Sequence, residues 1–167
     1  LAGDLVARLT QAKLTLTTAE SCTGGLLGSM LVDVPGSSVV YPGGWVTYSN
    51  AMKQSQLGVP AQLLETHGAV SAPAVRAMAT GARKRSGAHL ALAISGIAGP
   101  EGGTDDKPVG TVWFGLATET TVTAYHTHFT GNRATVRDRA AKSALQMLRF
   151  TVMGKSLAPL KSLKQSP

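Results

Sequence analysis

Cysteine occurs once in this 167-residue chain, as Cys22. A single thiol excludes an intrachain disulfide framework and any multi-cysteine zinc site, and it suits a reducing cytoplasm. Aromatic residues are scarce at 5%, too few for the stacking platforms on which single-stranded nucleic acids are laid out. No apolar run is long enough to span a bilayer. No charged-then-apolar segment opens the chain as a secretory signal would, and no internal repeat is present. Acids are few, nine against 16 Lys and Arg, for a formal net charge of +7. The excess is dispersed over Arg83, Lys84 and Arg85, over Arg133, Arg137 and Arg139, and over Lys155, Lys161 and Lys164. Such dispersion suits an anionic small molecule, and nucleic acid and membrane are not expected as partners. The sequence begins at Leu1 rather than Met, which leaves room for residues or a whole domain upstream.

What remains is enough for one globular domain with a proper core, since 43% of the residues are hydrophobic. Leu5, Val6 and Leu9 share one face of an opening helix, and residues 14–18 form a β-prone run. Residues 24–34 read as a buried helix with a small-residue side at Gly25, Gly28 and Ser29. A second strand ends in Trp45-Val46-Thr47-Tyr48. Ser49-Asn50 caps a helix closed by Gly58. Pro60 and His67-Gly68 bracket another helix, and Ser71 caps a longer one to Ser86. Residues 90–95 are an apolar strand buried on both faces. Strands at 111–117 and 121–129 pair around Glu119-Thr120. A last helix runs from Arg133 to about Phe150, and residues 154–167 read as a basic, flexible tail after a single domain at 1–153. Helices alternating with strands and ending in adjacent strands predict a three-layer α/β/α sandwich on a mixed, mostly parallel sheet of about five strands.

Three stretches carry candidate chemistry. The first is Glu20-Ser21-Cys22-Thr23-Gly24-Gly25, a small-residue turn between strand and helix. Unpaired N–H groups at a helix start favour negative charge. Ser21 is a candidate nucleophile there, with backbone donors at Cys22, Thr23, Gly24 and Gly25 for the oxyanion. The alternative is that Ser21 or Thr23 only caps the helix. Cys22 is the rival nucleophile, but no histidine base is placed near it by any motif. The second stretch holds Tyr48, Asn50 and Lys53, at the strand-end edge where open α/β sheets bind ligands. A lysine beside a serine can serve as its base if burial lowers its pKa. A solvated helix lysine is the alternative.

The third comprises the glycine-rich segment 96–110, including Gly96, Gly99, Gly102, Gly103 and Thr104, and the helix start at Gly131, Arg133 and Arg137. Glycines let backbone N–H groups approach a ligand closely. A helix start with two guanidiniums can hold a phosphate, or can be a capped surface helix. Asp105, Asp106 and Glu101 lack an accompanying His or Cys and read as solvated loop acids. His126 and His128 alternate along a strand without a third ligand.

Taken together, Ala19-Glu20-Ser21-Cys22-Thr23-Gly24-Gly25, Val34-Pro35-Gly36-Ser37-Ser38, Val46-Thr47-Tyr48-Ser49-Asn50-x-x-Lys53, His67-Gly68-Ala69-Val70-Ser71, Ser95-Gly96-Ile97-Ala98-Gly99-Pro100-x-Gly102-Gly103 and Lys107-Pro108-Val109-Gly110-Thr111-Val112 resemble the C-terminal domain family of the competence/damage-inducible protein CinA. The resemblance runs in order from about residue 5 to 150. It implies a cytoplasmic nicotinamide mononucleotide amidohydrolase that releases nicotinate mononucleotide and ammonia in pyridine-nucleotide salvage. It further implies Ser21 as nucleophile, assisted by Lys53 and Tyr48, with no metal or organic cofactor. The nucleotide would be held by Glu20, Asn50, the 96–110 loop and Arg133 and Arg137. Self-association as a homo-oligomer is also implied. The alternative is a module that binds a nucleotide, or serves a competence or DNA-damage assembly, without turnover.

Overall fold

Ser71, Ser49 and Asn132 each supply a side-chain acceptor to the start of a helix. They take the N–H groups of Ala74, Met52 and Thr135, as residues with short polar side chains do at this position. Gly58 and Gly87 close two of these helices in the left-handed conformation. The helices in chain order are α1 (Ala2–Ala12), α2 (Leu26–Val32), α3 (Asn50–Leu57), α4 (Ala61–His67), α5 (Ala72–Ser86) and α6 (Arg133–Val152). A single 3-10 turn, Ser37–Val39, follows α2. The strands are β1 (Leu16–Glu20), β2 (Gly43–Val46), β3 (Leu90–Gly96), β4 (Thr111–Ala117), β5 (Val122–His128) and β6 (Lys164–Ser166). The computed structural model describes residues 1–158, 160 and 163–166.

The six strands form one sheet in the order β2-β1-β3-β4-β5-β6. Helices α1, α2 and α6 cover one face over a core that includes Leu5, Leu27, Leu92, Phe114 and Leu148. Helices α3, α4 and α5 cover the other, over Ala19, Leu57, Leu64, Met78 and Ala93. The three-layer sandwich is therefore as expected, but its parallel character is confined to β2, β1 and β3. The remaining neighbours, β3–β4, β4–β5 and β5–β6, are antiparallel; the first two are joined without an intervening helix, whereas α6 lies between β5 and β6. Asp4 on α1 hydrogen-bonds Arg8 and, across to α6, Arg149. Those bonds hold its carboxyl at about 2.

The terminal residues depart from expectation. Lys164–Ser166 add a sixth strand to β5, with Tyr125 opposite Gln165. Leu157, Leu160 and Leu163, at every third residue, pack on the α6-side core. That spacing reads too weakly in a basic segment to signal an element. The rest of the tail reading, at 159, 161, 162 and 167, lies outside the described residues.

Strand β1 begins two residues later than its apolar run suggests and continues to Glu20. Lys13 turns in the left-handed conformation to end α1, and Leu14 is still tied to Leu9. The shift matters, because it delivers Ser21 to the carboxyl end of the strand.

Candidate active site

Ser21 leaves β1 with its N–H still paired to the Ile94 carbonyl of β3 at 2.9 Å. The chain then reverses through Cys22 and Thr23 into α2. Gly24 and Gly25 adopt φ of 61° and 92°, a region open to glycine at no steric cost. The turn is fixed from below by Glu20. Its buried carboxylate accepts from the N–H groups of Gly25 (3.0 Å), Leu27 (3.0 Å) and Gly28 (2.8 Å). These are first-turn donors of α2, which have no partner within a helix. Glu20 is thus a helix anchor beneath the turn. It does not line the pocket, which corrects the expectation that it would hold substrate.

On the neighbouring parallel pair, β2 ends at Val46 and Thr47 pairs its N–H with the Glu20 carbonyl at 2.8 Å. Ser49 then caps α3, whose first turn carries Lys53 inward. Lys53 is 1% exposed. Its ammonium donates to Ser21 Oγ at 3.0 Å, to the Thr47 carbonyl at 2.9 Å and to the Tyr48 carbonyl at 3.2 Å. Burial pushes the lysine pKa below its ordinary value, and none of these partners is a carboxylate that would hold it charged. An ammonium has three protons, and three acceptors surround this one. On losing a proton, the amine keeps two N–H bonds for the two carbonyls, which cannot donate. Its lone pair is then left for the one neighbour with a proton to give, the Ser21 hydroxyl.

Cys22 beside it is 5% exposed, and burial pushes its thiol up to about 12. A thiol so far from its thiolate is a poor nucleophile at neutral pH. Of the four residues expected to offer oxyanion donors, Gly24 gives its N–H to the Ser21 carbonyl and Gly25 to Glu20. Cys22 and Thr23 keep theirs outside the backbone hydrogen bonds of the turn.

A cavity of about 210 Å³ opens over the Ser21–Lys53 pair, lined also by Cys22, Tyr48, Asn50, Ala69, Val70, Ser95, Gly96, Ala98 and Arg133. Gly96 meets a steric limit: a Cβ there would lie 2.8 Å from Val112 Cγ2, 2.9 Å from the Thr111 carbonyl and 3.1 Å from Cys22 Sγ. Arg133, from the first turn of α6, reaches across the mouth. It donates to the Tyr48 hydroxyl and to the Gly99 carbonyl, both at 2.8 Å. Tyr48 therefore meets Lys53 through its carbonyl and Arg133 through its phenol.

Other expected contacts lie elsewhere. Arg137 does not face the cavity: its guanidinium donates to the carbonyls of Cys22 (3.1 Å) and Thr23 (2.8 Å). It braces the turn: the Thr23 carbonyl also accepts from the Leu26 N–H at 3.3 Å, so the guanidinium adds to a single bond there. Gly131 precedes the cap of α6, and Asn132 already holds the Thr135 N–H at 2.9 Å, so that helix start is satisfied internally. Gly102, Gly103 and Thr104 belong to a loop folded on itself. Thr104 Oγ1 accepts from the Lys107 N–H, and the Lys107 ammonium reaches the His67 carbonyl at 2.8 Å. Among the described residues no group of three or more His, Cys, Asp or Glu is placed to hold a metal.

Sequence reading gives no role to Ala69, Val70, Ser95 or Ala98 in the cavity wall. Their segments are visible as motifs, but apolar and small residues carry no chemical signature of a lining. The Thr47 carbonyl is beyond reach altogether, since every residue has one.

The fold and the site together define an open α/β sandwich with a buried serine–lysine pair at the strand-to-helix turn of its first strand. The chain belongs to the CinA C-terminal domain family, whose sequence profile matches residues 1–152. Among curated relatives, a CinA-like protein of Gemmatimonas aurantiaca is 49% identical over 89% of this chain and 35% of its own length. A CinA-like protein of Geobacter sulfurreducens is 52% identical over 86% of the chain and 35% of its own. The chain thus spans about a third of the length of the curated relatives it matches. Among solved structures, a competence-damaged protein (CinA) superfamily protein of Klebsiella pneumoniae superposes with a TM-score of 0.88 at 38% identity, over 92% of this chain and 96% of that one. One from Escherichia coli does so at 0.85 and 41%, over 89% and 87%. Helices on both faces of an open mixed sheet are what this family shares.

Proposed function

We propose that this chain is a nicotinamide mononucleotide amidohydrolase with Ser21 as nucleophile and Lys53 as its base. The observation that carries the reading is the 3.0 Å contact between Lys53 Nζ and Ser21 Oγ, at a buried lysine whose other hydrogen-bond partners are carbonyls. Neutral Lys53 takes the Ser21 proton as Oγ attacks the carboxamide carbon. The negative charge that develops on the carbonyl oxygen faces the Cys22 and Thr23 N–H groups. The resulting lysine ammonium returns its proton to the departing nitrogen, which leaves as ammonia. Water, activated by the same amine, then cleaves the serine ester to nicotinate mononucleotide. Each proton taken is given back, and no cofactor enters the balance.

The cavity of about 210 Å³ is smaller than the roughly 300–1,000 Å³ of pockets that engulf a whole ligand. It suits the reacting pyridine carboxamide, with ribose and phosphate passing outward by Tyr48 and Arg133. Release of ammonia from nicotinamide mononucleotide by the purified chain is the direct test. Ser21→Ala is expected to abolish it, and Cys22→Ala to preserve most of it. Absence of release by the wild type while the nucleotide still binds would support a binding module instead. Activity that survives Ser21→Ala and dies with Cys22→Ala would move the nucleophile to the thiol.

A further inference from the structure

Arg137 is half-buried on the second turn of α6, between Val136 and Ala140 of the core. Its guanidinium lies against the Ser21–Gly25 reversal: a Cβ on Gly24 would come within 3.4 Å of Nη2. Nε donates to the Cys22 carbonyl at 3.1 Å and Nη2 to the Thr23 carbonyl at 2.8 Å. Each carbonyl shares its peptide group with the N–H of the next residue, and in a trans peptide the two point opposite ways. The Cys22 carbonyl therefore backs the Thr23 N–H. The Thr23 carbonyl backs the Gly24 N–H, which donates to the Ser21 carbonyl at 3.0 Å, and the Ser21 carbonyl backs the Cys22 N–H. Two relays of polarised groups thus run from one guanidinium to the two N–H groups that stay outside the backbone bonds of the turn. Hydrogen bonds linked in this way strengthen one another.

Charge points the same way. Among the described residues, Glu20 and Arg137 are the charged side chains bonded to the backbone of this turn. The ion pairs among those residues join Asp4 to Arg8 and Arg149, and Asp138 to Lys142, so no carboxylate cancels the Arg137 guanidinium. At the Cys22 thiol, burial disfavours the thiolate most and Glu20 opposes it too, whereas Arg137 favours it. The field of this arginine therefore supports negative charge at the turn.

We infer that Arg137 is a positioning residue for the proposed hydrolysis, holding and polarising the peptide groups whose N–H ends, at Cys22 and Thr23, meet the developing oxyanion. The inference rests on the reading of Ser21 as an amidohydrolase nucleophile. Arg137 does not line the cavity and acts through the backbone alone. Without it, Glu20 is left as the one charge bonded to the backbone of the turn, and a carboxylate opposes the negative charge of a tetrahedral intermediate. Lysine at this position keeps the positive charge, but a point donor does not bridge two carbonyls as the planar guanidinium does.

Steady-state release of ammonia from nicotinamide mononucleotide by the wild type, Arg137→Lys and Arg137→Ala tests it, with circular dichroism recording the folded fraction of each. Removal of one oxyanion donor costs about 10²–10³ in kcat, so donors that are only loosened should cost about tenfold in Arg137→Lys and about a hundredfold in Arg137→Ala, with KM held within about twofold. A loss confined to KM, or a kcat that falls only with the folded fraction, would overturn the inference.

Pyridine-3-boronic acid separates this inference from the reading beneath it. Ser21 Oγ gives an electron pair to boron, its proton passes to Lys53, and the trigonal acid becomes a tetrahedral anion on the serine. The boron-11 resonance reports that change of geometry. The wild type should bind the probe, Arg137→Lys about tenfold more weakly, and Arg137→Ala more weakly again. A wild type that forms the adduct yet releases no ammonia from the nucleotide would end the amidohydrolase reading, while weaker adducts in the variants would still uphold the role of Arg137. Equal binding by the three proteins, or no adduct on the wild type, would overturn it.

Discussion

Arg133 and Tyr48 meet at 2.8 Å, guanidinium to phenol, across the mouth of the cavity. The same guanidinium holds the Gly99 carbonyl, so one side chain joins the β2–α3 connection to the glycine-rich loop. The tyrosine touches Lys53 with its carbonyl, a group that any residue supplies. Tyr48→Phe keeps that carbonyl and loses only the tie to Arg133. The expected result is a raised KM for nicotinamide mononucleotide with a smaller effect on kcat. Lys53→Arg is expected to lose kcat almost entirely, since a guanidinium does not give up its proton at working pH. Steady-state kinetics of both variants separates the roles. A Tyr48→Phe defect confined to kcat would make the phenol a proton carrier.

Arg133 is the exposed cation nearest the route by which a 5′-phosphate would leave the cavity, and Arg137 is engaged with the turn. Arg133→Ala should therefore weaken nicotinamide mononucleotide by the roughly 1.5–3 kcal/mol of a charged hydrogen bond. Nicotinamide riboside, which lacks the phosphate, should lose much less. Equal losses on the two substrates would leave Arg133 as a tie between loops and nothing more.

The buried lysine makes a prediction about pH. Its folded pKa lies below the ordinary 10.5 because burial disfavours the ammonium. Between the folded value and 10.5 the unfolded chain binds a proton that the folded chain has lost. Stability from this group therefore rises with pH through that window, and the cost of burying the charge is complete below it. In Lys53→Met the dependence disappears, while the loss of the carbonyl contacts is constant with pH. Denaturant unfolding of both proteins should show the wild type gaining on the variant as pH is raised toward 10.5. In parallel, kcat/KM should climb along a limb whose midpoint lies below the free-lysine value. Stability curves that run parallel would mean that Lys53 titrates as an exposed lysine.

Much of this site is legible in the amino-acid order alone. Ser21, Lys53 and Tyr48 stand out by their place at strand ends and helix starts, and the caps at Ser49, Ser71 and Asn132 fix the helices that follow them. What stays hidden is direction. Glu20 and Arg137 are polar residues in site motifs, and composition cannot say whether such a side chain faces ligand or backbone. Both turn to the Ser21–Gly25 reversal, whose unpaired N–H and carbonyl groups need partners once they are buried. The sixth strand is hidden for a related reason. A three-residue strand has no period of its own, and it exists because the β5 edge offers hydrogen bonds to it.

Glu20→Gln tests the first of these hidden roles. A carboxylate accepts at both oxygens, whereas an amide offers one acceptor and turns an NH₂ toward an N–H group. With three backbone donors at 2.8 to 3.0 Å, one or two are left unpaired in the variant. The expected destabilisation is about 1–3 kcal/mol per donor stranded, read as a lower denaturation midpoint. The loss of activity should track the loss of the turn. A variant as stable as the wild type would show that water satisfies those donors.

The mixed sheet also bears on the order of events in folding. Strands β3, β4 and β5 follow one another along the chain and pair as neighbours. In contrast, β1 must find β3 across the whole of α2 to α5. Distant pairings bear a larger loop-closure cost and form late. Ser21 ends β1 and Lys53 lies on the crossing that follows β2, so the pair straddles the slow half of the molecule. A refolding chain should recover strand signal in circular dichroism before it recovers turnover, and simultaneous recovery would contradict that sequence. On the proposed mechanism, turnover would mark the completion of the fold, because Ser95 and Gly96 of β3, the strand that β1 reaches late, form part of the cavity wall over Ser21 and Lys53.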